Sequence, residues 1–435
     1  MRFYKISFLL FALALSCRNS DIRKKIPEDC STRKKSGDCD KGSQGDADAN
    51  SGLSVVTSSI IATDSLHSAP FQVYKLGSNK SPENRSFHSA ALSATDMLIF
   101  GGNSTDGVSL NTGSLFNLKT NLWTPIASPP PEFEPRTDAF SAWTGSQFIF
   151  WGGVKNYRDN STNSLKTTSL NSGALYNPES RTWTLIPSTE APPLLEKSVV
   201  AFVNGSLFVW GGYSLNSGEA YPKKAYIFNS KTNSWKTIPT TQAPAGRKNA
   251  AVSVRENFID IWGGVGFDSN ILADGASFNV NSETWTPLLS RNDSLPGRQK
   301  ASGISVAGKS FFWGGESLLG ECPADLGLLE LNQETPALLR LPTLQGPKGR
   351  SHGLFASLGS LIFVWGGSCQ TQLKDEFVLD GYTFDTIKNT WNAFKIGDSP
   401  ESRKGLSAVG DGNMLIIWGG ENKSKYPFND GYIIK

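Results

Sequence analysis

Hydrophobic residues in this sequence occur in short, nearly continuous runs, each of which ends at an aromatic residue and a pair of glycines. One run, Leu361–Trp365, is apolar at every position and is followed by Gly366 and Gly367. A strand covered on one face alternates apolar and polar residues, whereas a strand covered on both faces is apolar throughout. The runs therefore predict β-strands that lie between two other layers.

The aromatic–Gly–Gly motif occurs seven times, at intervals of 51 to 59 residues. Repetition at a period near 50 residues indicates an array of similar units, each too small to bury its apolar face alone. The motifs are Phe100-Gly101-Gly102, Trp151-Gly152-Gly153, Trp210-Gly211-Gly212, Trp262-Gly263-Gly264, Trp313-Gly314-Gly315, Trp365-Gly366-Gly367 and Trp418-Gly419-Gly420.

Each repeat predicts four antiparallel strands, which we label a to d in chain order. In the second repeat, strands a and b are separated by a turn at Thr144–Ser146, and strands c and d by a turn at Pro178–Ser180. Short turns with Gly, Pro, Asn or Ser join paired antiparallel strands. Strand d carries a tryptophan in five repeats, at Trp123, Trp183, Trp235, Trp285 and Trp391.

The last repeat stops after its third strand, and a matching fourth strand lies at the front of the repeated region. Residues 71 to 76 resemble the d strand that begins at Trp391, so we expect them to complete the seventh unit and close a ring without a free edge. With its diglycines and later tryptophans, the segment 70–435 resembles the kelch-repeat family of β-propellers. The resemblance implies an all-β, seven-bladed, kelch-type propeller.

The N-terminal segment predicts export. Residues 1–16 hold Arg2 and Lys5 and then an apolar run, which is shorter than the about 20 residues needed to cross a bilayer and is typical of a signal peptide. Ser16-Cys17 resembles a loose lipobox of the kind found in spirochaete lipoproteins, which implies lipidation of Cys17. The alternative is an ordinary signal peptide with Cys17 incidental. Residues 17–69 are polar and predict a flexible tether.

Six arginines form a regular series in the connections between strand d of one unit and strand a of the next. Each lies 16 residues before the first glycine of a pair, and Leu195 takes this position in the third repeat. One hypothesis is a basic ring that binds carboxylates or sulfates, because guanidinium groups suit such ligands. The other is that each arginine binds backbone within the blades. The series is Arg85, Arg136, Arg247, Arg298, Arg350 and Arg403.

Residue type varies two positions after these arginines. The kelch resemblance implies that side chains near the start of the innermost strand contribute to ligand pockets, which makes these positions binding candidates. Solvated positions without a role are the alternative. The candidates are Asp138, Lys197, Asn249, Lys300 and His352.

Two cysteines and one acidic residue stand out in the repeats. Cys322 and Cys369 fall in the b–c loops of adjacent units, and in an exported chain they predict a disulfide, with free buried thiols as the alternative.

Asp260 interrupts an apolar b strand. It is either a carboxylate with a perturbed pKa or a structural acceptor satisfied by backbone or by a cation such as Arg255.

Composition and motifs exclude several classes of function. The formal net charge is +3 with no basic block in the repeats, which argues against nucleic acid as a partner. We find no phosphate-binding loop, nucleophile elbow or zinc-ligand spacing, so no cofactor or metal is expected. The sequence predicts a monomeric binding or scaffold module for a protein or glycan, which uses the b–c loops and the channel mouth. We expect it in the bacterial cell envelope, lipid-anchored to a membrane and facing the periplasm or the exterior.

The kelch resemblance also implies an enzymatic alternative. Carbohydrate-active kelch propellers of the sialic acid mutarotase or epimerase type need an acid/base pair at the channel mouth. Glu316, Glu321 or Asp325 beside Arg298 and Arg350 could supply one, but no spacing selects them. Copper radical oxidases need several His and Tyr ligands, and the repeats contain only His88 and His352. We therefore predict a module without catalytic residues.

Overall fold

The computed structural model describes residues 71–435 apart from 215–218, 290–294, 331–335, 342–344, 371–374 and 397–400. The predicted signal peptide, the lipidation site Cys17 and the tether lie outside the described residues. Within them the chain is almost entirely β-structure, with one short 3-10 helix at Phe267–Ser269. Seven four-stranded antiparallel sheets form the blades of a propeller, as the repeats predict.

In each blade the strands follow the order a, b, c, d from the channel outward, and the a strands of neighbouring blades contact one another around the channel. The a strands are Ser89–Leu92, Phe140–Trp143, Val199–Val203, Ala251–Arg255, Ser302–Val306, Leu354–Leu358 and Lys404–Gly410. The b strands are Asp96–Phe100, Phe148–Trp151, Ser206–Trp210, Phe258–Trp262, Lys309–Trp313, Leu361–Trp365 and Leu415–Glu421.

The two outer strands of each blade are c and d. The c strands are Gly113–Asn117, Gly173–Asn177, Ala225–Asn229, Gly275–Asn279, Leu326–Glu330, Gly381–Asp385 and Gly431–Ile434. The d strands are Leu122–Pro125, Thr182–Leu185, Ser234–Ile238, Thr284–Pro287, Ala337–Leu341, Thr390–Phe394 and, from the front of the domain, Val73–Lys75.

The ring closes as predicted. Val73 pairs with Ile434 and Lys75 with Tyr432, so the first described strand is the d strand of blade seven. Hydrogen bonds from the N–H of Leu76 to Gly431 O (2.9 Å) and from the N–H of Gln72 to Lys435 O (3.0 Å) extend the pairing. Both ends of the described chain therefore belong to one sheet.

The core lies between blades, which explains why the b strands are apolar throughout. The aromatic residue that ends a b strand packs on the d-strand tryptophan of the next blade: the ring centroids of Trp151 and Trp235 are 4.7 Å apart, and those of Trp210 and Trp285 are 5.5 Å apart. Such pairs contribute about 0.5–1.5 kcal/mol each beyond their burial. The glycines after the b strand adopt positive φ, 68° at Gly101. An added Cβ there would lie 2.4 Å from the carbonyl oxygen of Arg136.

Two further hairpins extend from the b–c loops. One pairs Val154–Arg158 with Leu165–Ser169 in blade two, and the other pairs Ser368–Gln370 with Asp375–Phe377 in blade six. The b–c loops and the d–a connections share one face of the propeller. This face holds the arginine series and the candidate binding positions.

Candidate functional site

Seven residues, one in each d–a connection, form a ring at the channel mouth, which we call the mouth ring. All seven have left-handed backbone conformation, with φ between 52° and 62°. Five of them donate their N–H to the carbonyl oxygen of the ring member before them, over 2.7 to 3.2 Å. The backbone thus links neighbouring blades immediately before their innermost strands. The members are Phe87, Asp138, Lys197, Asn249, Lys300, His352 and Gly405.

The structure brings all five variable candidates of the sequence, Asp138, Lys197, Asn249, Lys300 and His352, into the mouth ring. Phe87 and Gly405 were not among the candidates predicted from the sequence. Both lie two residues after an arginine of the series, so the same spacing could have found them. The sequence did not indicate their left-handed conformation, because glycine is the residue that usually adopts it and six of the seven members are not glycine.

On one side of the ring, a buried carboxylate organises the polar side chains. Glu316 pairs with the Nζ of Lys300 at 2.9 Å and accepts a hydrogen bond from the hydroxyl of Ser351 at 3.1 Å. The Ser351 Oγ also lies 3.0 Å from Nδ1 of His352. The four side chains form one connected network, in which the charge of Glu316 is balanced. On the other side, Lys197 and Asp138 pair at 3.3 Å with both side chains exposed.

Both histidines of the propeller are uncharged at neutral pH. Desolvation by the surrounding protein and repulsion by Lys300 lower the pKa of His352 below its ordinary value, although its side chain retains solvent contact. Burial lowers the pKa of His88 to about 3, with a smaller contribution from Arg85. The ring of His88 lies 2.7 Å from the Ser407 hydroxyl through Nε2. The mouth therefore gains no positive charge from imidazole groups at neutral pH.

The arginines of the series are buried and bind backbone carbonyl oxygens of their own blades. Arg136 donates from Nη1 to the carbonyl oxygens of Gly152 and Ser172, each at 3.0 Å, and from Nε to that of Glu134 at 3.1 Å. Arg85, Arg247, Arg298 and Arg350 bind the equivalent backbone carbonyls of their own blades, and Arg403 binds Gly419 O at 3.2 Å and the carboxylate of Asp430. Four of them were anion-binding candidates, and their side chains are almost completely buried, which corrects that hypothesis in favour of the backbone-binding alternative. The four are Arg136, Arg247, Arg298 and Arg350.

The carboxylates considered for an acid/base pair are held by cations or lie on the surface. Glu316 is bound by Lys300, and Asp325 by Arg340 at 2.7 Å and Arg298 at 3.5 Å. Glu321 is exposed. Among the described residues, no group of three or more His, Cys, Asp or Glu side chains could hold a metal ion.

Asp260 is a structural acceptor. Its fully buried carboxylate accepts hydrogen bonds from Nε of Arg255 and from the hydroxyl of Ser310, both at 2.7 Å. Ser310 belongs to strand b of the next blade. The side chain therefore joins blades four and five.

The sulfurs of Cys322 and Cys369 are bonded at 2.06 Å. The bridge joins the b–c loops of blades five and six. It lies on the same face as the network around Glu316, and it ties together the two loops that follow Trp313 and Trp365.

A cavity of about 660 Å³ opens at the mouth between blades two and three. Three members of the mouth ring, Phe87, Asp138 and Lys197, contribute to its wall. Side chains of the blade-two hairpin, among them Asn156 and Thr167, form another part. The volume lies within the range of about 300–1,000 Å³ typical of small-molecule sites.

Comparison with known proteins agrees with this architecture. The family described as "KLHDC2/KLHL20/DRC7 Kelch-repeats domain" matches residues 197–395, and the Kelch motif matches residues 84–130. With seven such units closed into a ring, the chain is a kelch-type β-propeller. It belongs among the kelch-repeat proteins.

Three curated relatives are eukaryotic proteins with low identity to this chain. Kelch domain-containing protein 1 of Mus musculus is 23% identical over 69% of this chain and 66% of its own length. Kelch domain-containing protein 3 of Bos taurus is 26% identical over 55% of this chain and 67% of its own length. Kelch-like protein terF of Aspergillus terreus is 23% identical over 46% of this chain, and only 44% of its length is covered.

A solved structure described as "Structure of YjhT" superimposes with a TM-score of 0.53 at 16% identity, over 72% of this chain and 98% of that one. At this identity the likeness concerns the fold alone. Within the described part of the chain, no helix is long and apolar enough to span a membrane.

Proposed function

We propose that the chain is an exported, lipid-anchored binding module that recognises a protein or glycan through the channel mouth and the b–c loops, and that it catalyses no reaction. The observation that carries this proposal is the cavity of about 660 Å³ at the mouth. The residues that repeat from blade to blade are engaged in the fold, whereas several side chains of the cavity wall, among them Asp138 and Lys197, differ between blades. Differing side chains on a rigid scaffold are typical of recognition surfaces.

Two of the carboxylates considered for an acid/base pair, Glu316 and Asp325, support binding rather than catalysis. An acid/base pair needs two groups that are free to exchange protons with a substrate. Glu316 is paired with Lys300, and Asp325 is paired with two arginines. We therefore expect the chain to leave the rate of anomer exchange of free sugars unchanged, as measured by NMR.

The binding experiment uses the full-length chain on an array of neutral and acidic glycans, in parallel with a peptide array. We expect saturable binding of one ligand class, weakened by substitutions that line the mouth and unaffected by substitutions on the opposite face. Lys309→Ala, at the exposed first residue of the blade-five b strand, is the matched control for Lys300→Ala and Lys197→Ala. Absence of saturable binding on both arrays, or accelerated anomer exchange, would contradict the proposal.

Lipid anchoring is tested separately. When the chain is expressed in a bacterium supplied with an alkyne-tagged fatty acid, we expect labelling that Cys17→Ala abolishes and Cys30→Ala does not. Labelling that persists in Cys17→Ala would refute the proposed anchor.

A further inference from the structure

One backbone contact joins neighbouring blades at six of the seven junctions. The N–H of the second glycine of a pair donates to the carbonyl oxygen of the series arginine in the next blade, as from Gly102 to Arg136 at 2.8 Å. The six distances lie between 2.7 and 3.1 Å. At the junction of blades two and three, Leu195 replaces the arginine. Within the part of the chain that the structure describes, the N–H of Gly153 has no hydrogen-bond partner there.

The mouth ring is open at the same junction. Asn249 donates its N–H to Lys197 O at 3.0 Å, but among the described residues no bond runs from Lys197 to Asp138 O. Among the described residues the ring also lacks a backbone hydrogen bond between His352 and Lys300. At that junction, however, the N–H of Gly315 donates to Arg350 O at 2.9 Å. Judged by the described residues, only the junction of blades two and three lacks both contacts.

The backbone has moved apart where these bonds are missing. An added Cβ at Gly101 or Gly314 would lie 2.4 Å from the arginine carbonyl of the next blade. At Gly152 the nearest atom would be Leu170 O, at 3.6 Å. The cavity of about 660 Å³ occupies this opening, with Gly152 and Leu195 in its wall.

The substitution of a single residue explains the opening. In the other blades the guanidinium fixes the d–a connection to its own blade, as Arg247 does through Ala245 O (2.9 Å) and Gly263 O (3.1 Å). Leu195 can make no such bonds, and it packs instead in the apolar cluster between blades two and three, beside Trp151. The connection is thus held by apolar contacts rather than by a guanidinium, and it stands away from blade two.

The chemistry of the wall selects a class of ligand. Its charged groups are two carboxylates, Asp138 and Glu196, and one ammonium, Lys197, so an anionic ligand meets no excess of positive charge. The other polar groups are amides and hydroxyls, together with the N–H of Gly153, which has no hydrogen-bond partner among the described residues. The amides belong to Asn103, Asn156 and Asn171, and the hydroxyls to Thr137, Thr167, Ser169 and Ser198.

Such a mixture of donors and acceptors suits ligand hydroxyl groups, each of which both donates and accepts hydrogen bonds. Two half-buried rings, Phe87 and Phe140, add an apolar wall against which a sugar ring could pack. We propose that the opening between blades two and three binds a short neutral oligosaccharide. This inference rests on the proposed binding function and names its site and ligand class.

The decisive variant is Leu195→Arg, which restores the arginine found at the other six junctions. We expect the guanidinium to fix the connection, the carbonyl oxygen of residue 195 to accept from Gly153, and the cavity to close. The full-length protein, applied to an array of short neutral oligosaccharides and their sialylated and sulfated forms, should bind neutral chains. Leu195→Arg should lose that binding by at least about tenfold in Kd, equivalent to about 1.4 kcal/mol.

Asn171→Ala tests the wall without altering the backbone, because this side chain is exposed in the opening. Loss of one hydrogen bond should weaken binding about two- to tenfold. Asn413→Ala, at an exposed a–b turn on the opposite face of the propeller, is the matched control and should bind as the parent does. Thermal unfolding of each variant distinguishes loss of the site from loss of the fold.

The outcomes separate this inference from the function on which it rests. Neutral sugar binding that Leu195→Arg and Asn171→Ala both leave intact overturns the inference and retains a binding module. Two other outcomes also overturn the inference and retain a binding module. One is binding that is confined to acidic sugars and lost in Lys300→Ala, and the other is saturable binding of a peptide in place of sugars. If neither the glycan array nor the peptide array shows saturable binding, both proposals are overturned.

Discussion

Asp260 of blade four accepts a 2.7 Å hydrogen bond from the hydroxyl of Ser310 in blade five, with both side chains completely buried. Arg255 completes the site, because its Nε donates to the same carboxylate. Asp260→Ala would leave this arginine, which is 6% exposed, without its counter-charge. Removing one partner of a buried ion pair costs about 3–5 kcal/mol.

We therefore expect Asp260→Ala to lower the free energy of unfolding by several kcal/mol, measured by urea titration of tryptophan fluorescence. Asp106→Ala, at an exposed loop position, is the control and should change stability little. Equal stability of the two variants would show that the buried pair contributes nothing.

Removing residues 71–77 should destabilise the whole ring. Their absence leaves Gly431–Ile434 as an exposed edge strand, which both weakens blade seven and offers an unpaired edge for association. We expect a fall in Tm of more than about 10 °C, together with concentration-dependent association in sedimentation experiments. A chain that lacks residues 18–69 instead should retain the parental Tm, and an unchanged Tm in the first variant would exclude a closing role.

Arg247→Leu should reproduce at the junction of blades three and four the sequence that blade three carries naturally. The change removes the donors to Ala245 O and Gly263 O, and it leaves the buried carbonyl group of Gly263 unpaired. An unpaired buried group costs about 1–3 kcal/mol, so a loss in this range is expected in chemical unfolding.

Arg247→Lys is the matched variant for this position. An ammonium cannot reproduce the fork of a guanidinium, so lysine should recover less than half of the lost stability. Recovery of full stability with lysine would show that charge alone, rather than the geometry of the fork, holds the connection.

Stability should fall as the pH is lowered from about 6.5 towards 3, in part because of His88. Burial lowers the pKa of His88 in the folded protein to about 3, whereas an unfolded chain protonates its histidines near pH 6.5. Between these values the unfolded state binds the additional proton, which favours unfolding by up to about 1.4 kcal/mol per pH unit. Above pH 6.5 His88 is neutral in both states, so it no longer lowers the free energy of unfolding.

The comparison is between the parent and His88→Gln, which keeps a polar side chain beside Ser407 but does not titrate. The difference in their free energies of unfolding should grow between pH 7 and pH 4 in the direction of greater loss for the parent. Parallel pH profiles would show that His88 does not contribute to acid sensitivity.

The blade count, the strand order and the closing strand could all be predicted from the sequence, because they depend on a local pattern repeated seven times. The positions of Lys300 and His352 at the mouth followed from the same spacing. The direction of the arginine side chains did not, because sequence shows where a guanidinium lies along the chain but not whether carbonyl groups surround it. The sequence shows that Leu195 replaces an arginine of the series. It does not show that the blades separate there, which follows from the absence, among the described residues, of a hydrogen bond from the N–H of Gly153.

The pairing of Val73–Lys75 with Gly431–Ile434 also defines the mechanical behaviour of the domain. Force applied to the chain before residue 71 reaches the propeller first through this pairing, so load and ring closure depend on the same few hydrogen bonds. A sufficient pull would detach one strand and open the ring at blade seven, while blades one to six keep all four of their strands.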